Sequence, residues 1–378
     1  DGSAVADGLK ALRAVPLALP PLTPAERRAL VVACLGAHGK RLDGHSQMRA
    51  LLRKADAGRP QYLVLACAEL RVHGVFETLT QRVSALGGTV ARLLDDVLAR
   101  LERDFGADAV ASVLALVAAA RAPVAAPVLR RAARRPAEKE TALPLGLWTP
   151  LRAALAPLLR AVRGALAPAS RAVAAALERR YLASRPRLTR AHALLAEVYL
   201  DQCDPSHDGS CSGCSNALSA AVASSSSSSS GNSNNIISEE LGTAVEEVGY
   251  HLFKSGQAVP LAGLLTSLAF IECKCAAGGV TDLLADYERA AQLVQGNALV
   301  PSQRSAVAEF RAFVQENAAV LAAHPALTRQ QAANAPPATA PARAALAALE
   351  AKGDRSSAWL QWLNRPRAGA GACVATLG

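Results

Sequence analysis

The chain has 378 residues, enough to bury a sizeable core and to form two or three domains. Alanine, leucine and arginine dominate, and only 4% of the residues are aromatic, so helices are favoured over strands. No apolar run of about 18 residues is free of charge, and the N-terminus has no basic n-region, so neither a membrane span nor a signal peptide is expected. The formal net charge of +10 suits nucleic acid, an acidic partner or an anionic membrane surface.

The first eighty residues contain three predicted helices. Thr23–Glu26 is a capping box with proline at the first helical position, and it starts a helix through Leu35. A second helix covers Ser46–Lys54. The third covers Gly58–His73, because apolar residues recur there at helical spacing. Together they predict a small helical bundle.

The segment Gly36–Arg41 resembles a phosphate-binding loop only superficially. Such a loop needs four residues between its glycines and then Lys-Ser or Lys-Thr, so that the hydroxyl reaches Mg²⁺. In this chain the spacing is too short and Arg41 stands at the position of the hydroxyl residue. We interpret the segment as the end of a helix.

Three helices are predicted next, at Thr89–Asp104, Ala107–Arg121 and Pro127–Arg135, followed by a structured region from Trp148 to Leu182. Basic residues concentrate in this part of the chain and could contact nucleic-acid phosphates. Aromatic residues for base stacking are nearly absent, so a solvated face or a protein contact is favoured. The basic residues are Arg130, Arg131, Arg134, Arg135, Arg160, Arg163, Arg171, Arg179 and Arg180.

A change of composition divides the next part of the chain. A helix is predicted at Arg190–Cys203, and residues 204–235 are then predicted to be a disordered insertion, because seven consecutive serines cannot bury enough apolar surface. Helices resume at Ser238, with Gly256 as the stop of the first. Helices separated by short Gly or Pro turns predict an array of α-hairpins. The later ones cover Gln257–Leu268, Thr281–Leu293 and Pro301–Ala322.

Two groups of potential metal ligands lie at the start of the insertion. Cys203, His207, Cys211 and Cys214 supply four atoms that zinc could bind, but there is no second Cys-x-x-Cys pair, so a flexible insertion is favoured over a zinc site. Residues 204–209 resemble the start of a calcium loop. The twelfth position is serine instead of glutamate, so calcium is rejected.

Two further segments complete the pattern. Cys273 and Cys275 cannot face each other on one helix, so we predict one core thiol and one surface thiol. Ala332–Ala342 is rich in alanine and proline and is predicted to be a linker before a helix at Pro341–Lys352.

Several runs resemble segments of STAND-type proteins, specifically NACHT proteins with C-terminal WD repeats. The resemblance covers nearly the whole chain but only the middle of that architecture, without the P-loop core and without the propeller. It implies an all-α fold with four parts: a lid-like helical bundle (1–80), a winged-helix-like domain (81–187), a helical array (188–330), and a linker with a pre-propeller segment (331–378). The similar runs are Gly58–Pro60, Glu69–Phe76, Tyr250–Gly256, Phe270–Gly278, Asp282–Tyr287 and Trp359–Pro366.

The resemblance also implies a nucleotide site that this chain completes only in part. Pro60 matches the lid proline that packs near the nucleotide base, so it is the one residue carried over as a cofactor contact. ATP or GTP would be bound by a full-length protein, and no cofactor is expected for this chain alone. Ser170-Arg171 stands at the position of a His-Asp pair that senses phosphate in the family. Nucleotide sensing by this element is therefore expected to be degenerate.

The sequence contains no catalytic constellation, so no enzyme is predicted. The resemblance and the missing initiator Met indicate a fragment of a longer, non-catalytic scaffold that holds protein partners in a large complex. Two alternatives stay open: a regulatory part of a nucleotide-dependent switch, and a nucleic-acid-binding module that uses the basic winged helix. Expected partners are proteins, including a WD40 propeller of the same polypeptide, and no membrane. The expected location is the cytoplasm, in a ciliary assembly.

Overall fold

The computed structural model describes residues 19–43, 46–72, 77–133, 142–225, 238–294, 298–352 and 360–363, and a few single positions before residue 16. These residues are mostly helical, with three short strands, which confirms the predicted all-α class. The chain divides into two compact units. The first comprises Asp1–Ala107, Arg152–Leu159 and Ala169–Ala176, and the second comprises Asp108–Leu151, Arg160–Pro168 and Leu177–Gly378. The four predicted domain boundaries stay a prediction.

Five helices build most of the first unit, and α3 packs between α1 and α5. The predicted capping box of α1 is confirmed: Thr23 Oγ1 accepts from the backbone N–H of Glu26 at 3.3 Å, and Glu26 Oε2 accepts from that of Thr23 at 2.7 Å. The predicted apolar stripe of α3 is buried as well. The helices are α1 (Pro24–Gly36), α2 (Gln47–Leu52), α3 (Pro60–Val72), α4 (Leu79–Ala85) and α5 (Val90–Phe105).

The segment Gly36–Arg41 forms the end of α1, as predicted. The left-handed residue of this turn is Gly39, with a φ of 65°, while Gly36 is still helical. The backbone N–H of Lys40 donates to Leu35 O at 3.0 Å, and its amine donates to Arg71 O at 2.5 Å, where α3 ends. The lysine therefore satisfies a terminal carbonyl of a neighbouring helix instead of a phosphate.

Helices and a small sheet alternate between residues 107 and 181. The strands pair in the order β1-β3-β2, with Val124 opposite Leu166 in an antiparallel register. The strands were not predicted, because each has only two to four residues and their commonest residue is alanine, which is depleted in strands. The winged-helix assignment itself stays a prediction. The elements are α6 (Ala107–Ala119), β1 (Val124–Ala125), α7 (Ala126–Ala132), α8 (Leu145–Leu155), β2 (Leu159–Val162), β3 (Ala165–Pro168) and α9 (Arg171–Tyr181).

The remaining helices pack on their neighbours in succession, around a long contact between α10 and α12. Gly256 ends α12 in the left-handed conformation at a φ of 76°, as predicted. A single 3-10 turn covers Pro325–Leu327. The helices are α10 (Arg185–Cys203), α11 (Ser212–Ser225), α12 (Glu239–Ser255), α13 (Ala258–Leu265), α14 (Leu268–Ala276), α15 (Val280–Val294), α16 (Pro301–Glu316), α17 (Ala318–Ala323), α18 (Thr328–Asn334) and α19 (Ala340–Lys352).

The predicted disorder of residues 204–235 is wrong for the first two thirds of that range. Residues 212–225 form α11, and the side chains of Asp204, Cys211 and Cys214 are buried. Cysteine, alanine and leucine before the serine tract give this part an apolar face, which the composition of the whole range concealed. Residues 226–237, with most of the serine tract, lie outside the described residues.

Three other boundaries differ from the prediction. The helix predicted at Gln257–Leu268 is two helices, α13 and α14, with a turn between them. The helix predicted at Pro301–Ala322 breaks at Asn317 into α16 and α17. Part of the predicted linker is the buried end of α18, because alanine side chains allow close helix packing.

No single helix in the described part of the chain combines the length and apolar character that a membrane crossing requires. The helices α13 and α14 meet that test only when they are taken together, and the pair is bent by 76°.

Candidate functional site

The predicted nucleotide contact, Pro60, is the first residue of α3 and is exposed. The preceding backbone is closely packed: Leu22 N donates to Gly58 O at 2.9 Å. A Cβ added at Gly58 would lie 3.1 Å from Pro21 Cβ, so this glycine leaves little room for a side chain. The structure therefore holds the Gly-x-Pro segment in a defined conformation. The nucleotide role of Pro60 stays a prediction.

Gln61, the residue after Pro60, contacts Ser170, which stands at the position of the His-Asp pair in the family. Gln61 Nε2 donates to Ser170 Oγ at 2.5 Å. The same oxygen accepts from the backbone N–H of Val173 at 3.2 Å, so Ser170 caps the start of α9. Both residues belong to the first unit. The two family positions that were predicted separately are thus neighbours in space.

The basic residues have diverse surroundings. Arg130 Nε donates to Leu143 O at 2.8 Å, and Arg131 lies 3.4 Å from Asp201, so these two already have partners in the chain. Arg160 and Arg163 are exposed on the β2–β3 hairpin. The remaining members are exposed or half-buried on α9, except Arg134 and Arg135, which lie outside the described residues.

Three of the four residues that were considered as zinc ligands, and not favoured as such, come together, but with a different fourth member. Cys203, Cys211 and Cys214 are fully buried, and the thiol of Cys214 is hydrogen-bonded with those of Cys203 and Cys273. His207 instead lies 2.8 Å from Asp201. Hydrogen bonding to Cys203 and burial raise the pKa of Cys214, which keeps the thiol neutral and unreactive. The cluster therefore packs the core between α10, α11 and α14.

The prediction for the pair on α14 is half right. Cys273 is a core thiol, as predicted, but Cys275 is buried too, with 2% of its surface exposed. Both faces of α14 are covered by neighbouring helices, which sequence spacing alone did not reveal. Within the residues that the structure describes, no group of three or more His, Cys, Asp or Glu side chains could hold a metal ion.

The resemblance to a calcium loop reflects a hydrogen-bonded turn. Asp204 Oδ2 accepts from the backbone N–H of Gly209 at 2.8 Å, and Asp208 Oδ1 accepts from that of Ser210 at 2.8 Å. The hydrogen bond from the Ser210 hydroxyl is the largest of the effects that lower the pKa of Asp208 to about 2. The two acids thus fix the loop between α10 and α11.

An extensive polar cluster in the second unit was not predicted, and it begins at Arg121. Its Nε donates to both carboxylate oxygens of Glu247 at 2.9 and 3.1 Å. Its two Nη atoms donate to Asp282 at 3.1 Å each, and one also donates to Glu246 O at 2.9 Å. Bidentate pairing of this kind is geometrically specific. Arg121 therefore ties the end of α6 to both α12 and α15.

A fully buried ion pair continues this cluster. Lys274 and Asp286 are both 0% exposed, and the lysine amine donates to Asp286 Oδ2. The amine also lies 3.2 Å from Asp282, and Arg289 Nη1 donates to Asp286 Oδ1 at 2.5 Å. Buried charges are tolerated when each has partners of opposite sign, as in this case. We call these six residues the ion cluster: Arg121, Glu247, Lys274, Asp282, Asp286 and Arg289.

Two buried histidines adjoin the ion cluster. His192 on α10 and His251 on α12 face each other with their Nδ1 atoms 2.9 Å apart, so one ring donates and the other accepts. Among the residues that the structure describes, Nε2 of His251 finds no hydrogen-bond partner, and it lies 3.8 Å from Glu247 Oε2. Burial, with the nearby charge of Lys254, lowers the pKa of His192 to about 4. Burial, with the charges of His192 and Arg121, lowers that of His251 to about 3.

We therefore expect the histidine pair to destabilise the protein in acid. Because the folded pKa values lie below the unfolded value of about 6.5, the unfolded chain takes up protons first as the pH falls. The free energy of unfolding should be highest above pH 6.5 and fall by roughly 1.4 kcal/mol per pH unit for each histidine down to about pH 4. Urea unfolding measured between pH 7.5 and 4.5 checks this.

A matched pair of variants isolates this effect from the carboxylates that titrate in the same range. The double variant His192→Leu/His251→Leu should show a shallower pH profile, whereas His324→Gln, at an exposed position, should leave the profile unchanged. Equal slopes in the parent and the double variant would contradict the assignment.

Residues 235–344 match the sequence profile of a family described as the APAF-1 helical domain. This range runs from just before α12 into α19 and contains every member of the ion cluster except Arg121. The match covers α12 to α18 and the start of α19, and it supports the predicted resemblance to STAND-type proteins. A NACHT core and WD repeats lie outside what the match covers.

Two curated relatives are similar over nearly the whole chain. Telomerase protein component 1 of Mus musculus and that of Rattus norvegicus are each 27% identical to this chain in an alignment over 376 residues. Each alignment covers 93% of this chain. The chain spans 13% of the length of these relatives.

Proposed function

We propose that this chain is the helical middle part of a longer STAND-like protein and acts as a non-catalytic scaffold that holds protein partners in a complex. The observation that carries the proposal is the match of residues 235–344 to the APAF-1 helical domain, within a similarity to telomerase protein component 1 that covers 93% of the chain. The name of that relative indicates membership of a complex.

The physical chemistry of the array supports a structural role. Its buried ionised groups are paired with one another. Hydrogen bonding to Cys203 and burial raise the pKa of the Cys214 thiol, and burial lowers the pKa of the His251 imidazole, so both groups are neutral. None of these groups combines exposure with the activated state that a nucleophile or general base needs. An array of packed helices offers extended surfaces for partners instead.

Cross-linking mass spectrometry of the tagged full-length protein, with a reagent that couples carboxylates, tests the scaffold role. We expect the protein to elute in a complex larger than its own mass, with cross-links between residues 185–352 and other proteins. A monomer without such cross-links would overturn the proposal.

The finer architecture belongs to the same proposal. We expect a NACHT core before residue 1, a WD-repeat propeller after residue 378, and a cytoplasmic, ciliary location. A peptide map of the endogenous protein and imaging of a fluorescent fusion check these points. Peptides that include neither a P-loop nor a WD blade would reject this architecture.

A second candidate is a regulatory part of a nucleotide-dependent switch. It is favoured by the contact between Gln61 and Ser170, beside Pro60, which joins the two family positions associated with nucleotide. If it holds, the full-length protein should retain ATP or GTP on purification, and Pro60→Ala should reduce the amount retained. Pro24→Ala is the matched control, since Pro24 also begins a helix and is exposed. Equal nucleotide content in all three proteins would reject the switch.

The third candidate, binding of nucleic acid, is favoured by the exposed Arg160 and Arg163 on the hairpin. Binding through phosphates would weaken steeply with salt. Anisotropy titrations of labelled duplex RNA and DNA between 50 and 200 mM salt (roughly the informative range) provide the test. Binding that is unaffected by Arg160→Glu/Arg163→Glu would exclude this surface.

A further inference from the structure

A cavity of about 360 Å³ lies in the second unit between the loop after α10, helix α13 and helix α16. Its volume falls within the range of protein pockets that take small ligands or a few side chains. Its wall has an apolar floor and an acidic end, and few ligands combine the complementary apolar and cationic parts.

The floor of the cavity is apolar, and at one position it lacks a side chain. Leu200 of α10, Pro260 and Leu264 of α13, and Ala306 of α16 line it. Gly263, in the middle of α13, also lines the cavity, and a Cβ added there would meet nothing within 4 Å. The empty volume therefore exists partly because this helical residue has no side chain.

The other end of the cavity is negative. Asp204 and Asp208 line it, and no Lys or Arg is found among the described residues of the wall, although the whole chain has a net charge of +10. The hydroxyl of Ser210 holds the pKa of Asp208 at about 2, so this carboxylate is ionised at neutral pH. A cation is therefore the complementary ligand at this end.

The acidic end is held in place by its loop. His207, Gly209 and Cys211 have positive φ values of 53°, 80° and 50°. Asp204 accepts from the backbone N–H of Gly209, and the side chain of Cys211 is buried. These contacts fix an otherwise unfavourable backbone, so the carboxylates do not have to be ordered when a ligand binds.

We propose that this cavity binds a basic side chain of a protein partner, with the aliphatic stem on the apolar floor and the cationic tip at Asp204 and Asp208. Arginine and lysine side chains have this polarity, because an apolar stem ends in a charged group. The exposed Val259, also in the wall, offers a contact for an apolar neighbour in the partner segment. This inference rests on the proposed scaffold role and names a surface for it.

Calorimetric titration of the whole chain with an acetylated Leu-Arg-Leu amide tests the proposal. Acetylated Leu-citrulline-Leu amide is the control, since citrulline has nearly the same shape without the charge. We expect the arginine peptide to bind at least about tenfold more tightly, because only the cation pairs with the carboxylates. Equal binding of the two peptides would overturn the proposal.

Two variants of the protein localise the binding. Gly263→Leu fills the cavity from a helical position with free space, so it should abolish binding while the melting temperature is kept or raised. Gly242→Leu is the matched control, because Gly242 is also helical and unobstructed but lies outside the cavity. Binding to Gly263→Leu at parental strength would refute the site even if the peptide binds elsewhere.

The charge is tested separately. Asp208→Asn should weaken binding of the arginine peptide about tenfold, whereas Glu316→Gln, an exposed acid outside the cavity, should not. Spermidine that binds more tightly than the peptide would assign the cavity to polyamines and overturn the proposal.

If the peptide binds but full-length protein forms no complex, the scaffold role fails and this site stands. If a complex forms without peptide binding, only this site fails.

Discussion

Replacing Asp286 by asparagine should lower the free energy of unfolding by about 3 kcal/mol, near the lower end for breaking a buried ion pair. The change keeps the shape of the side chain but leaves the amine of Lys274 charged and fully buried. Asp282, 3.2 Å from that amine, compensates in part. Urea unfolding followed by circular dichroism at pH 7 measures the loss.

Two comparisons separate the buried charge from a general loss of packing. Lys274→Met/Asp286→Asn removes both charges and should be more stable than Asp286→Asn alone. Glu288→Gln, on the same helix but with a side chain 65% exposed, should cost at most about 1 kcal/mol. If the free energy of unfolding of Asp286→Asn lies within about 1 kcal/mol of the parent's, which is the limit for a surface pair, the ion cluster does not stabilise the array.

Two glycines of α12 should respond in opposite directions to substitution by alanine. A Cβ at Gly249 would lie 2.4–2.8 Å from the carboxylate of Asp286, which is far inside van der Waals contact. Gly249→Ala should therefore displace the ion pair and cost at least about 2–3 kcal/mol. A Cβ at Gly242 would meet nothing within 4 Å, so Gly242→Ala should stabilise the helix by up to about 1 kcal/mol.

Thermal and urea unfolding of both alanine variants measure this difference in stability, because intrinsic helix propensity acts equally at the two positions. A stabilising Gly249→Ala would show that α12 and α15 can separate without cost. It would also remove the reason for glycine at this point of the helix.

The helices that could be predicted are those whose local signals agree with their packing. Helix α1 has a capping box, α5 has a regular apolar stripe, and α12 ends at a left-handed glycine. In each case residues a few positions apart determine both the boundary and the buried face. The strands were missed because each has only two to four residues, and α11 was missed because it packs on α14, which is distant in the sequence.

The ion cluster illustrates why the rest was not predictable. Charged residues on amphipathic helices usually face solvent, so Glu247 and Asp286 give no local signal. Lys274 is different: it is the one cation in the otherwise largely apolar α14, which could have indicated a buried pair. Its partners on α15 could not have been named without the fold. The cavity at Gly263 likewise depends on three elements that only the tertiary structure brings together.

The ion cluster also affects the order in which the chain can mature on the ribosome. Arg121 and Asp282 are 161 positions apart in sequence. At about 5–20 residues per second, synthesis needs roughly 8–32 s to extend from the arginine to its second acid. Glu247 on α12, 126 positions after the arginine, is synthesised within this interval. Asp282 on α15 is not, so the full connection between α6, α12 and α15 cannot form until the interval ends. The array must therefore be synthesised as far as α15 before Arg121 can hold the preceding helices to it, and rare codons between the two positions would lengthen the delay.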